Sequence, residues 1–96
     1  MFAKKHEIDY QTILAVCDKE HLGKTYEEGN ICFTVSEKFF GGQEINEKEL
    51  KELFKNVNSI NLFGNKCIKI AQKEGLITES SVIKIQGIKH AQIYGL

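Results

Sequence analysis

The stretch Thr12-Ile13-Leu14-Ala15-Val16-Cys17 decides the fold. Its apolar residues follow one another without a polar partner at either the strand or the helix period. That is the pattern of a strand covered on both faces. Upstream, Phe2 to His6 forms a second short strand, set apart by the polar Glu7-Ile8-Asp9. Downstream, Asp18-Lys19-Glu20-His21-Leu22-Gly23 has the composition of a turn, or of one helical turn ending at Gly23. Ile31, Phe33 and Val35 then alternate with Cys32 and Thr34, as in a half-buried strand. Phe39-Phe40-Gly41-Gly42 reads as a loop with apolar anchors, its paired glycines freeing the backbone to turn.

The middle of the chain is helical in pattern. Asn46 is placed as an N-cap, Glu49 completes a capping box, and Ile45 is placed to staple against Leu50. Leu50, Leu53, Phe54 and Val57 follow on one stripe, with Glu47, Lys48, Lys51, Glu52 and Lys55 on the wet side. Asn56, Asn58 and Ser59 interrupt this helix. A second is expected from Ser59 or Ile60 to Lys73, where Ile60, Phe63, Cys67, Ile70 and Ala71 share a helical face. Gly75 fits C′, and Leu76 fits the apolar residue of a Schellman cap. The end returns to strand: Val82 to Ile85 and Ile88 to Tyr94 flank Gln86-Gly87, a hairpin or a bulged strand. The element order implies an α+β domain over residues 1–96, a mostly antiparallel sheet with both helices packed on one face. The strand order stays open.

Composition narrows the function. The chain has 96 residues, 42% hydrophobic and 27% charged, enough for one small core without staples. No apolar run reaches the length of a bilayer span, and the N-terminus shows no signal-like segment. The expectation is a cytoplasmic protein without membrane contact. All 13 cationic residues are Lys, balanced by 13 Asp and Glu. Without Arg the chain lacks the planar fork that reads guanine, so DNA sequence readout is not expected, while Lys can still meet phosphate. Cys17, Cys32 and Cys67 are odd in number, widely spaced and set in apolar stretches, which predicts reduced thiols packed in the core.

Chemical motifs fail one by one. Gly23-Lys24-Thr25 resembles the end of a P-loop, but Asp18 stands where that loop needs its first glycine, and a carboxylate there repels phosphate. Cys17, Asp18 and His21 mix ligand types without a close Cys pair, so His21 is expected as a solvated loop residue and no metal is expected. Cys17 with His90 lacks both an activated thiolate and a third partner. Glu27-Glu28 and Glu47 with Glu49 are a polar loop and a first helical turn. No cofactor and no catalytic residue are assigned.

Ala15-Val16-Cys17-Asp18, Leu22-Gly23-Lys24, Phe40-Gly41-Gly42, Asn61-Leu62-Phe63-Gly64 and His90-Ala91-Gln92-Ile93 together resemble the archaeal domain-of-unknown-function family 424. The resemblance runs over essentially the whole chain. It implies no catalytic residue, metal or cofactor, and it suggests an association with translation. His21 stands where the resemblance leads one to expect an aliphatic residue.

These readings converge on a non-enzymatic binding module whose partner is RNA or a protein of the translation apparatus. Lys24, Lys66, Lys69, Lys84 and Lys89 with Tyr94 are the candidate phosphate-facing surface. In the last strand Ala91 and Ile93 fall toward the core, and His90, Gln92 and Tyr94 fall on the other face. That face offers either a polar binding site or groups that serve the fold. One alternative is a small enzyme with a pocket near His90, Gln92, Lys24 and Asn61. Another is a structural subunit of a homo-oligomer or larger complex that buries an apolar patch.

Overall fold

The computed structural model describes residues 1–95. Strand β1 (Phe2–Ile8) turns through Asp9 and Tyr10 into β2 (Gln11–Cys17). A 3₁₀ turn, Lys19–His21, leads to a hairpin of β3 (Thr25–Glu28) and β4 (Ile31–Thr34). Then come α1 (Glu37–Phe40), β5 (Gln43–Glu44) and α2 (Glu47–Leu53), which runs on through a 3₁₀ turn at Phe54–Asn56. Strand β6 (Ser59–Phe63) precedes α3 (Asn65–Lys73), and a 3₁₀ turn at Glu79–Ser81 precedes β7 (Ile83–Ile85) and β8 (Ile88–Ile93). Six strands form one sheet in the order β5-β1-β2-β6-β8-β7, with β3 and β4 a separate pair. Within the sheet only β2 and β6 run parallel; the architecture is α+β and mostly antiparallel.

Both faces are covered, as the unbroken apolar run of β2 requires. Leu14 and Val16 point to the face carrying α2 and α3, where they meet Leu50, Ile60, Leu62, Ile68 and Ala71. Ala15 and Cys17 point to the opposite face, into a second cluster with Val35, Phe40, Phe63 and Ile85. The β3–β4 hairpin and α1 cover that second face in place of long helices.

The capping box of α2 is present: Asn46 Oδ1 accepts from the Glu49 N–H at 2.8 Å, and Glu49 Oε1 accepts from the Asn46 N–H at 3.0 Å. The expected second helix divides. Ser59 to Phe63 is strand, and the helix begins only at Asn65. In β6, Ile60 and Leu62 face one cluster and Phe63 the other, so alternation across a doubly covered sheet imitates a helical stripe. Phe39 and Phe40, expected as the start of a loop through Gly42, instead end a helical turn, Glu37–Phe40, capped by Ser36 Oγ. Gln86-Gly87 closes a true hairpin.

α3 has no cap of its own. Gly64 stands at its N-cap, and the carboxylate of Asp18, arriving from the end of β2, accepts the N–H groups of Lys66 at 2.8 Å and Cys67 at 3.0 Å. Asp18 is only 4% exposed, so this pairing satisfies a buried charge and two orphan helix donors at once. Gly64 is obligatory: its φ is +135°, and a Cβ there would lie 2.2 Å from Asp18 Cγ.

Asp18→Ala is expected to cost about 1–3 kcal/mol, because it leaves two α3 donors without an acceptor. Asn46→Ala should cost ~1 kcal/mol. Denaturant melts of the two variants check the ranking; an Asp18→Ala loss no larger than that of Asn46→Ala would show that α3 does not depend on β2.

Candidate functional site

Because β2 and β6 run parallel and their continuations leave toward opposite faces, their carboxyl ends create the type of crevice where α/β proteins often bind ligands. Here the carboxylate of Asp18 fills it. The negative charge at the start of α3 excludes phosphate from that helix end, in agreement with the rejected P-loop, and Lys24-Thr25 leads into strand β3 rather than a helix. Ligand-type atoms of Asp18, Glu20 and His21 lie within 4.8 Å of one another. Both carboxylate oxygens of Asp18 are nevertheless committed to α3. His21 is not the solvated loop residue expected. It is half-buried, its Nδ1 lies 2.6 Å from Tyr26 Oη, and its ring stands edge-on to Phe63.

The second face of the sheet gathers part of the expected site. Asn61 lies directly opposite Gln92 across β6 and β8, and Tyr94 Oη donates to Gln92 Oε1 at 2.9 Å. His90 belongs to the same face but is buried, its ring centroid 4.5 Å from that of Phe33. The Leu62 carbonyl lies 2.8 Å from His90 Nδ1, which therefore carries the proton as donor and leaves Nε2 as an acceptor. Burial holds the His90 pKa below its ordinary value, against a smaller opposing effect of the Leu62 hydrogen bond, so the ring stays neutral.

Between β4 and the β7–β8 hairpin runs a groove of about 310 Å³ lined by Ile31, Phe33, Ile83, Ile85, His90 and Gln92. Among the described residues no charged side chain lines it; Ser81 adds a hydroxyl. Ile31 and Ile83 stand at its lips, 42% and 49% exposed. Its width is fixed where the two hairpin turns meet, since the Gln86 N–H donates to Glu28 Oε1 at 2.7 Å and Gln86 Nε2 to the Glu27 carbonyl at 2.9 Å. One strand over from the lining residue Gln92, Asn61 Oδ1 is buried with no hydrogen-bond partner among the described residues. Such an acceptor is worth about 1–3 kcal/mol to any donor that reaches it.

The lysines stand elsewhere. Lys84 and Lys89 oppose each other across β7 and β8 on the α3 side of the sheet. The Lys89 amine is 3.8 Å from Glu79 Oε1, and its backbone N–H donates to Asn65 Oδ1. Lys24 is exposed at the entry to the β3–β4 hairpin, outside the groove. Sequence reasoning therefore places His90, Gln92 and Tyr94 on one face, brings Asn61 near them only as a pocket residue of an expected helix, and misses Ile31, Phe33 and Ile83. The alternation of Ile31 and Phe33 was the available signal; nothing local shows that β4 lies against β7.

The cysteines divide as well. Cys17 and Cys67 are buried, and burial, reinforced by the nearby Asp18 charge, pushes Cys17 up to about 11 and Cys67 well above the ordinary thiol range. Both are protonated and inert at neutral pH. Cys32, expected in the core, is exposed on β4 with Glu27 Oε1 3.6 Å from its sulfur. Its neighbour Phe33 takes the inward position of the alternation instead.

A family model described as a protein of unknown function (DUF424) matches residues 6–96. The chain belongs to this family. No curated protein matches the chain. A similar fold is seen in the crystal structure of an uncharacterized conserved protein from Methanopyrus kandleri, 22% identical, with a TM-score of 0.81 over 99% of this chain and 90% of that one. At that identity the likeness establishes the fold alone. Among the described residues no helix is long and apolar enough to cross a membrane.

Two outcomes follow for this DUF424 protein. A thiol reagent should label Cys32 in the native state and all three cysteines only after unfolding; native labelling of Cys17 or Cys67 would contradict their burial. Because the folded pKa of His90 lies below the ordinary 6.5, the unfolded chain binds its proton more readily. The stability this residue contributes is complete above about pH 6.5 and declines as pH falls from there toward the folded value. Thermal melts across roughly pH 5–8 should show that slope, flattened in His90→Gln.

Proposed function

We propose that this DUF424 protein is a non-enzymatic binding module that takes a segment of a protein partner in the groove between β4 and the β7–β8 hairpin. The observation that carries this reading is an apolar groove without a charged side chain among the described residues, whose lining residue Gln92 pairs across the strands with Asn61, a residue with a buried and unpartnered Oδ1. The fitting ligand has an apolar body and an N–H or O–H donor, as a peptide backbone with an aliphatic or aromatic side chain does. His90 Nε2 adds a second acceptor, and the Gln92 amide adds a donor. A neutral imidazole with no lysine or carboxylate side chain lining the groove among the described residues supports binding better than acid–base chemistry. Of the lysines of the candidate RNA surface, Lys84 and Lys89 lie on the other face of the sheet from Tyr94, which favours protein over RNA. The resemblance to family members points to the cytoplasmic translation apparatus as the place to look for the partner.

Affinity capture from native cells, with and without nuclease, tests the reading. A protein retained after nuclease treatment supports it; capture that vanishes with nuclease and falls steeply with salt would instead indicate RNA held through phosphate. Asn61→Leu separates site from scaffold. It removes an unpaired acceptor, so it should raise stability by ~1 kcal/mol, about 4–8 °C in Tm, while weakening capture. A variant that melts earlier would make Asn61 part of the fold.

A further inference from the structure

The outer edge of β1 is only half used. β5 pairs with Phe2 and Ala3 alone, so the edge from Lys5 to Ile8 has no neighbouring strand among the described residues. Register shows which groups are unpaired there. The Ile45 N–H donates to the Met1 carbonyl at 2.8 Å, so odd-numbered residues of β1 turn their peptide groups outward. The two-residue turn after Ile8, with Ile8 opposite Gln11, requires the same parity. Lys5 and Glu7 therefore each present an N–H and a C=O to the open side. Their side chains share one face, are exposed, and belong to no ion pair among the described residues. A cleft of about 600 Å³ bounded by Lys5, Glu52, Leu53 and Asn56 separates this edge from α2, leaving it uncovered. On the opposite face α1 braces the strand in extended form: His6 stacks on Phe39 at 4.4 Å and the Lys4 amine donates to the Lys38 carbonyl at 2.8 Å.

From this geometry we infer that β1 pairs antiparallel with β1 of a second copy, joining two six-stranded sheets into one. Outward groups at odd positions allow a two-fold axis opposite Lys5, His6 or Glu7. An axis at Lys5 sets Lys5 against Lys5, and one at Glu7 sets Glu7 against Glu7. The axis at His6 sets Lys5 of each copy against Glu7 of the other, as a hydrogen-bonded pair that exchanges both backbone bonds. Charge thus selects one register out of three. The complementarity of Lys5 and Glu7 makes a second copy the occupant. Each copy supplies the same short segment, so the interface is isologous and closes at a dimer. Lysine on a lone edge strand discourages pairing; here the glutamate two residues on converts that deterrent into a register lock.

Sedimentation velocity from micromolar to millimolar protein tests this, with circular dichroism to confirm that each variant is folded. The wild type should form a dimer that weakens with added salt. Lys5→Glu and Glu7→Lys each create like-charge pairs, doubled by the axis, and should each weaken the dimer about tenfold. An equimolar mixture of the two variants restores opposite charges and should associate as well as the wild type. A wild type that stays monomeric throughout, a dimer indifferent to either reversal, or a mixture that fails to associate would each overturn the inference. None of these outcomes bears on the groove at β7 and β8, which lies at the other edge of the sheet.

Discussion

The carboxylate of Asp18 ties the central strand of the sheet to the helix that covers it, and the remaining geometry is arranged around that contact. β2 ends at Cys17, Asp18 turns inward, and the first donors of α3 close on its two oxygens. The parallel partner β6 must then end in a residue without a side chain, because Asp18 occupies the volume that a Cβ at Gly64 would need. One buried ion thus sets the length of β6, the start of α3 and the identity of residue 64. Its presence also explains why a crevice of a type often used for ligands is filled by protein here, so that binding chemistry is displaced to the second face.

On that face the covering layer is thin. A four-residue hairpin strand and one helical turn seal the end of the sheet near Phe2, Cys17 and Phe63, where aromatic rings stack. They leave Gln92 and Tyr94 exposed. The groove is the boundary between the sealed and open halves of one surface, so its floor is buried and neutral while its lips remain apolar and exposed. A recognition surface built in this way depends little on salt or net charge, which suits a chain whose lysines and acids cancel.

Where structure was written locally, the sequence disclosed it. The capping box at Asn46 and Glu49, the doubly covered run of β2 and the Gln86-Gly87 turn each involve residues a few positions apart, and each is present. Ser59 to Phe63 was misread because Ile60, Phe63 and Cys67 fit a helical period even though strand alternation governs them; only pairing with β2, distant in sequence, decides between the two. Cys32 fails because the apolar stretch around it outweighed its place in the alternation: Phe33 and Val35 face inward against Phe63 and Phe40, and Cys32 takes the outward phase. His90, Gln92 and Tyr94 are legible as a group because strand alternation places them together, whereas Asn61 joins them only through the pairing of β6 with β8, which a helical reading of Ser59 to Phe63 hides. The groove beside them depends on how two hairpins meet, and no short-range pattern encodes that.

The pairing of β2 with β6 also bears on how the chain reaches this state. Ile13 lies opposite Ser59 and Cys17 opposite Phe63, so the central pair closes a loop of about forty residues. The β1–β2 and β7–β8 hairpins need only two-residue turns and are available far earlier. Until the intervening chain is ordered, β2 is a hairpin edge of exposed Leu14, Val16 and Cys17 with its future neighbour still absent, and α3 is a segment without a cap. The vulnerable species for this fold is therefore that preformed hairpin with an open apolar edge, and crowded, slow-folding conditions would send it toward strand exchange between chains.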